Sequence, residues 1–439
     1  MYTRLLAIFF MLISLITSST KADLISHQPH TSIVSGKPFT HNGVSVALSG
    51  NGNVMAIGSY GKTSLYVFSN NKWQFSQALS RPKDLLCTSN PAFGNTVALS
   101  KDGNTLVVGA SGAYSYLFWG VPYYIYFKCS GVAVYQRQNQ QWRLQHIVSD
   151  PAVTEDELFG ASLALSGDGK TLLVGAEYKA CTDVDDICGA AYFFRQEENE
   201  WTLVKMLNGT KPVDKSLGFF GSTTTLSQNG LTALVGYRSI NSVWSYGFKN
   251  NDWQRLQVIK LPKQRFAARF GNALALSQDG SRALIAADNA DNEKDCPGGY
   301  DDCGAVFSYR RNGNTLQLES SFTASDRHEN NYFGESLALT PDGTKAAIGT
   351  SDADCAQGNC GAVYFFQRQG SHWQELGRIT SPTAGAGGFD LGGDFGSALG
   401  LSDDGQRIVV GADSEDCPKG EDCGAAYFYT PLYLKQLGN

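Results

Sequence analysis

Four groups of residues in this 439-residue chain are of types that do chemistry. The first is Gly167-Asp168-Gly169-Lys170-Thr171, whose Gly-Lys-Thr end resembles a phosphate-binding loop. Such a loop needs a glycine five residues before the Gly-Lys pair and must open a helix whose N–H groups point at phosphate. Ala164 stands at that place, and the β-prone run Thr171-Leu172-Leu173-Val174 follows, so a nucleotide cradle is not expected. The second group is ten cysteines, an even count. Four pairs are local, Cys181 with Cys188, Cys296 with Cys303, Cys355 with Cys360, and Cys417 with Cys423, and Cys87 and Cys129 are left for one another. Closely spaced cysteines also bind zinc, but no pair has a second pair or a histidine pair nearby to complete four ligands. Disulfides are the expectation, with no metal and no cofactor.

The third group is three acidic loops, "CTDVDDIC" at 181–188, "DNADNEKDCPGGYDDC" at 288–303 and "DSEDCPKGEDC" at 413–423, against the basic "KLPKQRFAAR" at 260–269. They suit either a cation or basic partner on a charge-divided face, or, more simply, solvated loops that keep the protein soluble. The fourth is "SGAYSYLFWGVPYYIYFKC" at 111–129, with eight aromatic residues. Exposed aromatics mark sugar stacking or protein hot spots, and Tyr116, Phe118, Trp119, Tyr123 and Tyr124 are the candidate ligand-binding residues. The alternative is that these rings fold over a channel mouth and bury one another. No His-Glu-x-x-His helix or Gly-x-Ser-x-Gly elbow occurs. The nearest acid–base group is His328 with Asp326 and Glu329, where a solvent-facing histidine is the plainer explanation, and no catalytic residue is assigned.

The elements that position these residues are written as a repeat. "FGASLALSGDGKTLLVGA" from Phe159 returns from Phe93, Phe220, Phe270, Phe333 and Phe395, with a degenerate copy from Asn42. Successive copies begin 50 to 66 residues apart, a period that indicates a propeller or a solenoid. The Asp-Gly or Asn-Gly pair between β-prone runs predicts a two-residue hairpin turn. A second phrase, such as "GAAYFFRQEENEWTLVKML" at 189–207, adds a hairpin whose last strand carries Trp73, Trp142, Trp201, Trp253 or Trp373, with Leu316 in the fifth copy. Four short strands per unit, repeated seven times, predict an all-β, seven-bladed propeller of four-stranded antiparallel blades. Large Leu163 and Leu165 alternate with small Ser162, Ala164 and Ser166, as blades packed on both faces require. The last unit, "GAAYFYTPLYLKQLGN", lacks the final Trp strand, and "LISHQPHTSIVSG" at 24–36 stands where a fourth strand is needed. The two ends are therefore expected to close the ring together.

Residues 1–22 read as a signal peptide, a short basic start, an apolar run from Leu5 to Ile16 and small residues at Thr20-Lys21-Ala22. The propeller is expected to occupy 23–439 as one domain in a secreted or extracytoplasmic monomer whose mature chain has no membrane span. A net charge of −6 argues against nucleic acid, and Asn208-Gly209-Thr210 is a glycosylation sequon.

Phe159-Gly160 with Gly175-Ala176, Phe93-Gly94 with Gly109-Ala110 and Phe395-Gly396 with Gly411-Ala412 resemble the FG-GAP repeats of the integrin α-subunit propeller. The resemblance spans almost the whole mature chain and implies a seven-bladed propeller used for extracellular recognition. It departs in two ways. The proline of Gly-Ala-Pro is absent, and the 1–2 loop, as at Asp404-Gly405, is too short for the family's calcium sites. The longer 2–3 loops and blade connections share one face, where binding is expected. The function that follows is non-enzymatic adhesion or recognition of an extracellular glycan or protein through that face. A polysaccharide- or phosphoester-cleaving enzyme using the same face is the alternative.

Overall fold

The computed structural model describes residues 29–85, 93–118, 121–127, 130–149, 157–181, 186–198, 200–210, 218–261, 268–290, 302–327, 331–355, 358–383, 393–418 and 420–430, and the side chains of these except 112–118, 121–127, 355 and 358–359. Seven four-stranded antiparallel sheets form a seven-bladed β-propeller. Blade 3 shows the plan, running outward through Phe159–Leu165, Thr171–Ala176, Ala190–Glu197 and Glu200–Asn208. Among the described residues the helical content is a single 3-10 turn, Arg238–Ile240.

Each blade alternates as its sequence does, and each seam between blades is filled from both sides. Leu163 and Leu165 pack into the seam with blade 2, beside buried Val107, Val134 and Phe159. Ala164 faces the opposite way, into the seam with blade 4. The outer-strand tryptophan closes the gap to the preceding blade, and Trp253 stacks on Phe193 of blade 3 at 4.0 Å between ring centroids.

The Phe-Gly and Val-Gly-Ala phrases find their cause at these seams. A Cβ on Gly175 would lie 2.0 Å from the carbonyl oxygen of Gly221 in blade 4. Backbone therefore meets backbone, which only glycine allows. The small residue of the inner strand fastens the contact. Ser162 Oγ donates to Gly221 O at 2.9 Å, and Ser45, Thr96 and Ser336 do the same to Gly94, Gly160 and Gly396.

The 1–2 turn differs from the expected two-residue hairpin. In blade 3 it is a six-residue loop, Ser166 to Thr171, closed by Ser166 N to Thr171 O at 2.9 Å. Ser166 Oγ donates to Asp168 Oδ1 at 2.6 Å and accepts from Thr171 N, while Asp168 Oδ1 also accepts from Lys170 N. Gly169 has φ +72°, whereas Asp168 keeps ordinary backbone, so the type I′ requirement for two left-handed residues is not met. The side chains of Ser and Asp satisfy the turn's N–H groups instead.

These turns also join around the axis. Gly50 N donates to Lys101 O, Lys101 N to Gly167 O, Gly167 N to Gln228 O, Asn229 N to Gln278 O, Gln278 N to Pro341 O, and Asp403 N to Gly50 O, all at 2.8–2.9 Å. The girdle lacks its link from blade 6 to blade 7, because Pro341 has no N–H. Inside it, Lys101 Nζ meets Asp403 Oδ2 at 2.7 Å and Gln228 Nε2 reaches Asp403 Oδ1 at 3.0 Å. Side chains of blades 2, 4 and 7 thus meet across this end of the channel.

The ends close the ring as expected. Thr31–Val34 pairs antiparallel with Ala425–Tyr429 as the outer strand of blade 7, in unbroken register from Thr31 opposite Phe428 to Val34 opposite Ala425. The other six outer strands each carry a bulge, at Ser76, Gln145, Val204, Leu256, Glu319 and Leu376. Bulges twist an edge away from pairing with another chain. Cys181–Cys188 and Cys417–Cys423 are disulfides with Cα atoms 5.0 and 5.8 Å apart. Cys303 and Cys360 are also disulfide-bonded. Cys87, Cys129 and Cys296 lie outside the described residues, as does the side chain of Cys355. No helix among the described residues is long and apolar enough to cross a membrane.

Candidate functional site

The face opposite the joined turns carries the 2–3 loops, and blade 2 adds an element there. Gly112–Phe118 and Val121–Phe127 form a two-stranded antiparallel sheet separate from the four strands of the blade. Tyr116 pairs with Tyr123, Ser115 with Tyr124 and Phe118 with Val121. Four of the five aromatic candidates therefore sit on one hairpin. Trp119 lies outside the described residues. Blade 4 crosses the same interval with Arg238–Ile240 alone. Blade 6 adds only the two-residue strands Asp354–Cys355 and Gly358–Asn359.

Among the described residues, two positions of the repeat build the channel mouth on this face. The residue before the Phe-Gly pair, or before Asn42-Gly43 in the first copy, adopts left-handed backbone at His41, Leu158, Phe219, Arg269, Tyr332 and Asp394, with φ from 45° to 59°. Such backbone is costly for residues other than glycine and persists only where its surroundings enforce it. The residue after Val-Gly-Ala or its equivalent supplies the other position, as Glu177, Arg238, Asp288 and Asp413.

The charges there are unevenly shared. Arg238 lies 3.6 Å from Glu177, and its guanidinium sits 5.3 Å over the Phe219 ring. Burial raises the Glu177 carboxyl above its usual value and Arg238 opposes the shift. In blade 5, Asp288 is 2 % exposed and Arg269 approaches its Oδ2 at 3.5 Å. Burial pushes Asp288 up to about 6, against Arg269 and with help from the charge of Glu335. Glu335 is itself raised by burial, opposed by its hydrogen bond from Ser351, with Asp352 and Asp413 adding to the rise. Asp413 in turn faces His41 Nδ1 at 3.8 Å. Blades 5 to 7 thus share a run of neighbouring carboxylates, and Asp288 and Glu335 hold their protons more tightly than free carboxyl groups do. Among the described residues, no three of His, Cys, Asp and Glu gather as a metal cage.

The alternative acid–base group is not brought together in the described residues. His328 and Glu329 lie outside them. Asp326 is taken up in holding the connection between blades 5 and 6, accepting from Tyr364 Oη at 2.8 Å and pairing with Arg378 at 2.5 Å. The acidic loops and the basic stretch ending at Arg269 were visible in the sequence, but the mouth carboxylates Glu177 and Glu335, and Arg238 beside Glu177, were not singled out. Their common place in the repeat, beside Phe-Gly or after Val-Gly-Ala, is the signal that would have found them.

Comparison with known proteins agrees with the fold. Residues 317–366, from the outer strand of blade 5 into the third strand of blade 6, match the FG-GAP repeat. No curated protein matches the sequence. Among solved structures, the chain is similar to one from the mitotic checkpoint complex, with a TM-score of 0.56, 12% identity and coverage of 92% of this chain and 95% of that one. A protein from Lactobacillus plantarum gives 0.51 and 13%, covering 78% and 86%. A putative 6-phosphogluconolactonase from Bacteroides uniformis gives 0.50 and 13%, covering 77% and 85%. At these identities the likeness is one of fold.

Proposed function

We propose, from the premise that this chain is an FG-GAP-repeat propeller, that it is an exported recognition protein that binds a glycan or protein through the aromatic hairpin of blade 2. The fold is consistent with binding or recognition, and its disulfides and FG-GAP repeats suggest an oxidising, extracellular environment. The observation that carries the reading is the hairpin itself. Gly112–Phe118 and Val121–Phe127 add nothing to the ladder of blade 2, whose second strand pairs directly with its third. Blade 4 shows that the crossing needs no such element. Aromatic side chains bring large contact area at low entropic cost, which suits a docking surface on a rigid scaffold. The carboxylates of the mouth favour ligands that carry a basic group near that hairpin.

The chain should be screened on a glycan array and a panel of extracellular proteins, beside a panel of hydrolase and lyase substrates. Saturable binding without turnover is the expected result. Turnover of a polysaccharide or phosphoester would overturn the reading in favour of an enzyme.

A further inference from the structure

A cleft of about 230 Å³ opens between blades 3 and 4, beside the 1–2 turns and on the opposite end of the propeller from the aromatic hairpin. We propose that it binds a carboxylate carried on a short apolar stem. The counterpart seam between blades 5 and 6 holds such a carboxylate of its own.

In the seam of blades 5 and 6, two arginines and one glutamate fill the groove. Arg282 follows the 1–2 turn of blade 5, Arg368 comes from the third strand of blade 6, and Glu319 is the bulge residue of the blade 5 outer strand. Arg282 lies 3.0 Å and Arg368 3.2 Å from the same Glu319 oxygen, and all three side chains are at most 21% exposed. A carboxylate between two cations is therefore what this kind of seam accommodates.

In the seam of blades 3 and 4, each of the three positions has changed. Thr171 replaces the first arginine, Phe248 the second, and Val204 is the bulge residue in place of the glutamate. Thr171 is too short to cross, so the groove stays open. Two cations nevertheless line it, Lys170 from the turn and Arg195 from the third strand of blade 3. Neither has a carboxylate within ion-pair distance among the described residues, and Arg195 rests over the Phe248 ring at 5.2 Å. The apolar lip is also uncovered. Leu231 is 49% exposed and Val204 37%, and Leu231 stands where the other six turns carry Asn53, Asn104, Lys170, Ser281, Thr344 and Gln406.

The cleft thus offers two cations that form no ion pair among the described residues, although the carboxylates of Asp168 and Glu197 also line it, and an apolar wall without its cover. A carboxylate on the cations, with its stem against Val204, Leu231 and Phe248, supplies both the ion pair and the cover. Charge-assisted hydrogen bonds to carboxylate are among the stronger polar contacts. The volume is below that of a drug-sized pocket, so the ligand is a fragment of roughly ten heavy atoms or a single side chain. Asp168 Oδ1 is held by its own turn, accepting from Ser166 Oγ and Lys170 N. Glu197, exposed at the rim, disfavours dianions such as phosphate or sulfate.

The test is calorimetric titration of the full chain at low salt with benzoate and with benzamide, which has the same ring but no charge. Benzoate should bind and benzamide should not. Lys170→Gln and Arg195→Gln should each weaken benzoate binding about tenfold or more. Val204→Glu restores the carboxylate that Glu319 supplies in the other seam, and should abolish benzoate binding while both cations remain. A blocked glutamyl dipeptide, titrated beside benzoate, separates the two sources: tighter binding of the peptide points to an acidic side chain of a partner, and tighter binding of benzoate to a free acid. Equal binding of benzamide, or unchanged benzoate binding by Val204→Glu, overturns the proposal. So does the absence of benzoate binding at millimolar concentration.

Discussion

Replacing Gly175 by alanine should damage the propeller far more than one methyl group suggests. The added Cβ would stand 2.0 Å from Gly221 O and 2.2 Å from Ser162 Oγ. It would enter the 2.9 Å hydrogen bond that ties blade 3 to blade 4 at that point. The nearer obstacle is the Gly221 backbone carbonyl, so a rotation of the Ser162 side chain cannot relieve it. Overpacking costs about 1–3 kcal/mol, and loss of the Ser162 hydrogen bond adds about 0.5–1.5 kcal/mol. Together they predict a loss of about 2–4 kcal/mol. The natural control is the seam of blades 5 and 6, where Ala286 occupies the equivalent position and Ala273 replaces the serine. Ala286→Gly should cost only the backbone entropy of glycine in a strand, about 0.5–1 kcal/mol. Urea unfolding followed by tryptophan fluorescence, with disulfides intact, measures both variants. If Gly175→Ala unfolds within about 0.5 kcal/mol of the parent, in the range of a neutral surface change, then close backbone approach is not what the repeat's glycines serve.

Deleting residues 29–36 removes the outer strand of blade 7 and should lower the melting temperature by many degrees, read by circular dichroism. Asp288 titrates at about 6 in the folded chain, above its unfolded value. Its stabilising contribution is therefore complete below the unfolded pKa and lost as pH rises through 6, so Asp288→Asn should gain stability relative to the parent between pH 4 and 7, by roughly 3 kcal/mol. Unfolding midpoints that shift in parallel across that range would refute the assignment. Thermal melts with and without a chelator should coincide, because Asp168 and Asp404 are already engaged by their own turns. A large drop with chelator would place a structural ion in the acidic cysteine loops.

The fold was legible because it is written seven times, and each copy carries both periodicities and turn residues. Ring closure was legible as well, since a last unit without its Trp strand and an unused apolar segment at the start complete one another. The turn was misread for a physical reason. Asp-Gly suits a two-residue hairpin and a six-residue loop alike, and the choice falls to the hydroxyl two residues before the Asp, as Ser166 and Ser402 show. The mouth was the hardest part to see. Asp288, Glu335 and Asp413 come from three blades, more than 45 residues apart along the chain, and their coupling depends on burial that no single repeat reveals. The unpaired cations of the blade 3–4 cleft are hidden in the same way. They emerge only when one seam is laid beside another.

The account stands or falls on the hairpin of blade 2. Replacing Trp119 and Tyr123 with alanine, and measuring both the melting temperature and the affinity for the ligand found on the arrays, tests it on a single protein. Truncating hot-spot residues loses about 2 kcal/mol or more of binding, close to thirtyfold in affinity, whereas exposed substitutions move stability by only about 0.5 kcal/mol. A docking hairpin predicts a loss of at least that size in affinity with the melt nearly unchanged. Retained affinity would contradict it, and so would a drop in stability of about 3 kcal/mol or more per ring, the signature of aromatic residues that serve as a buried core.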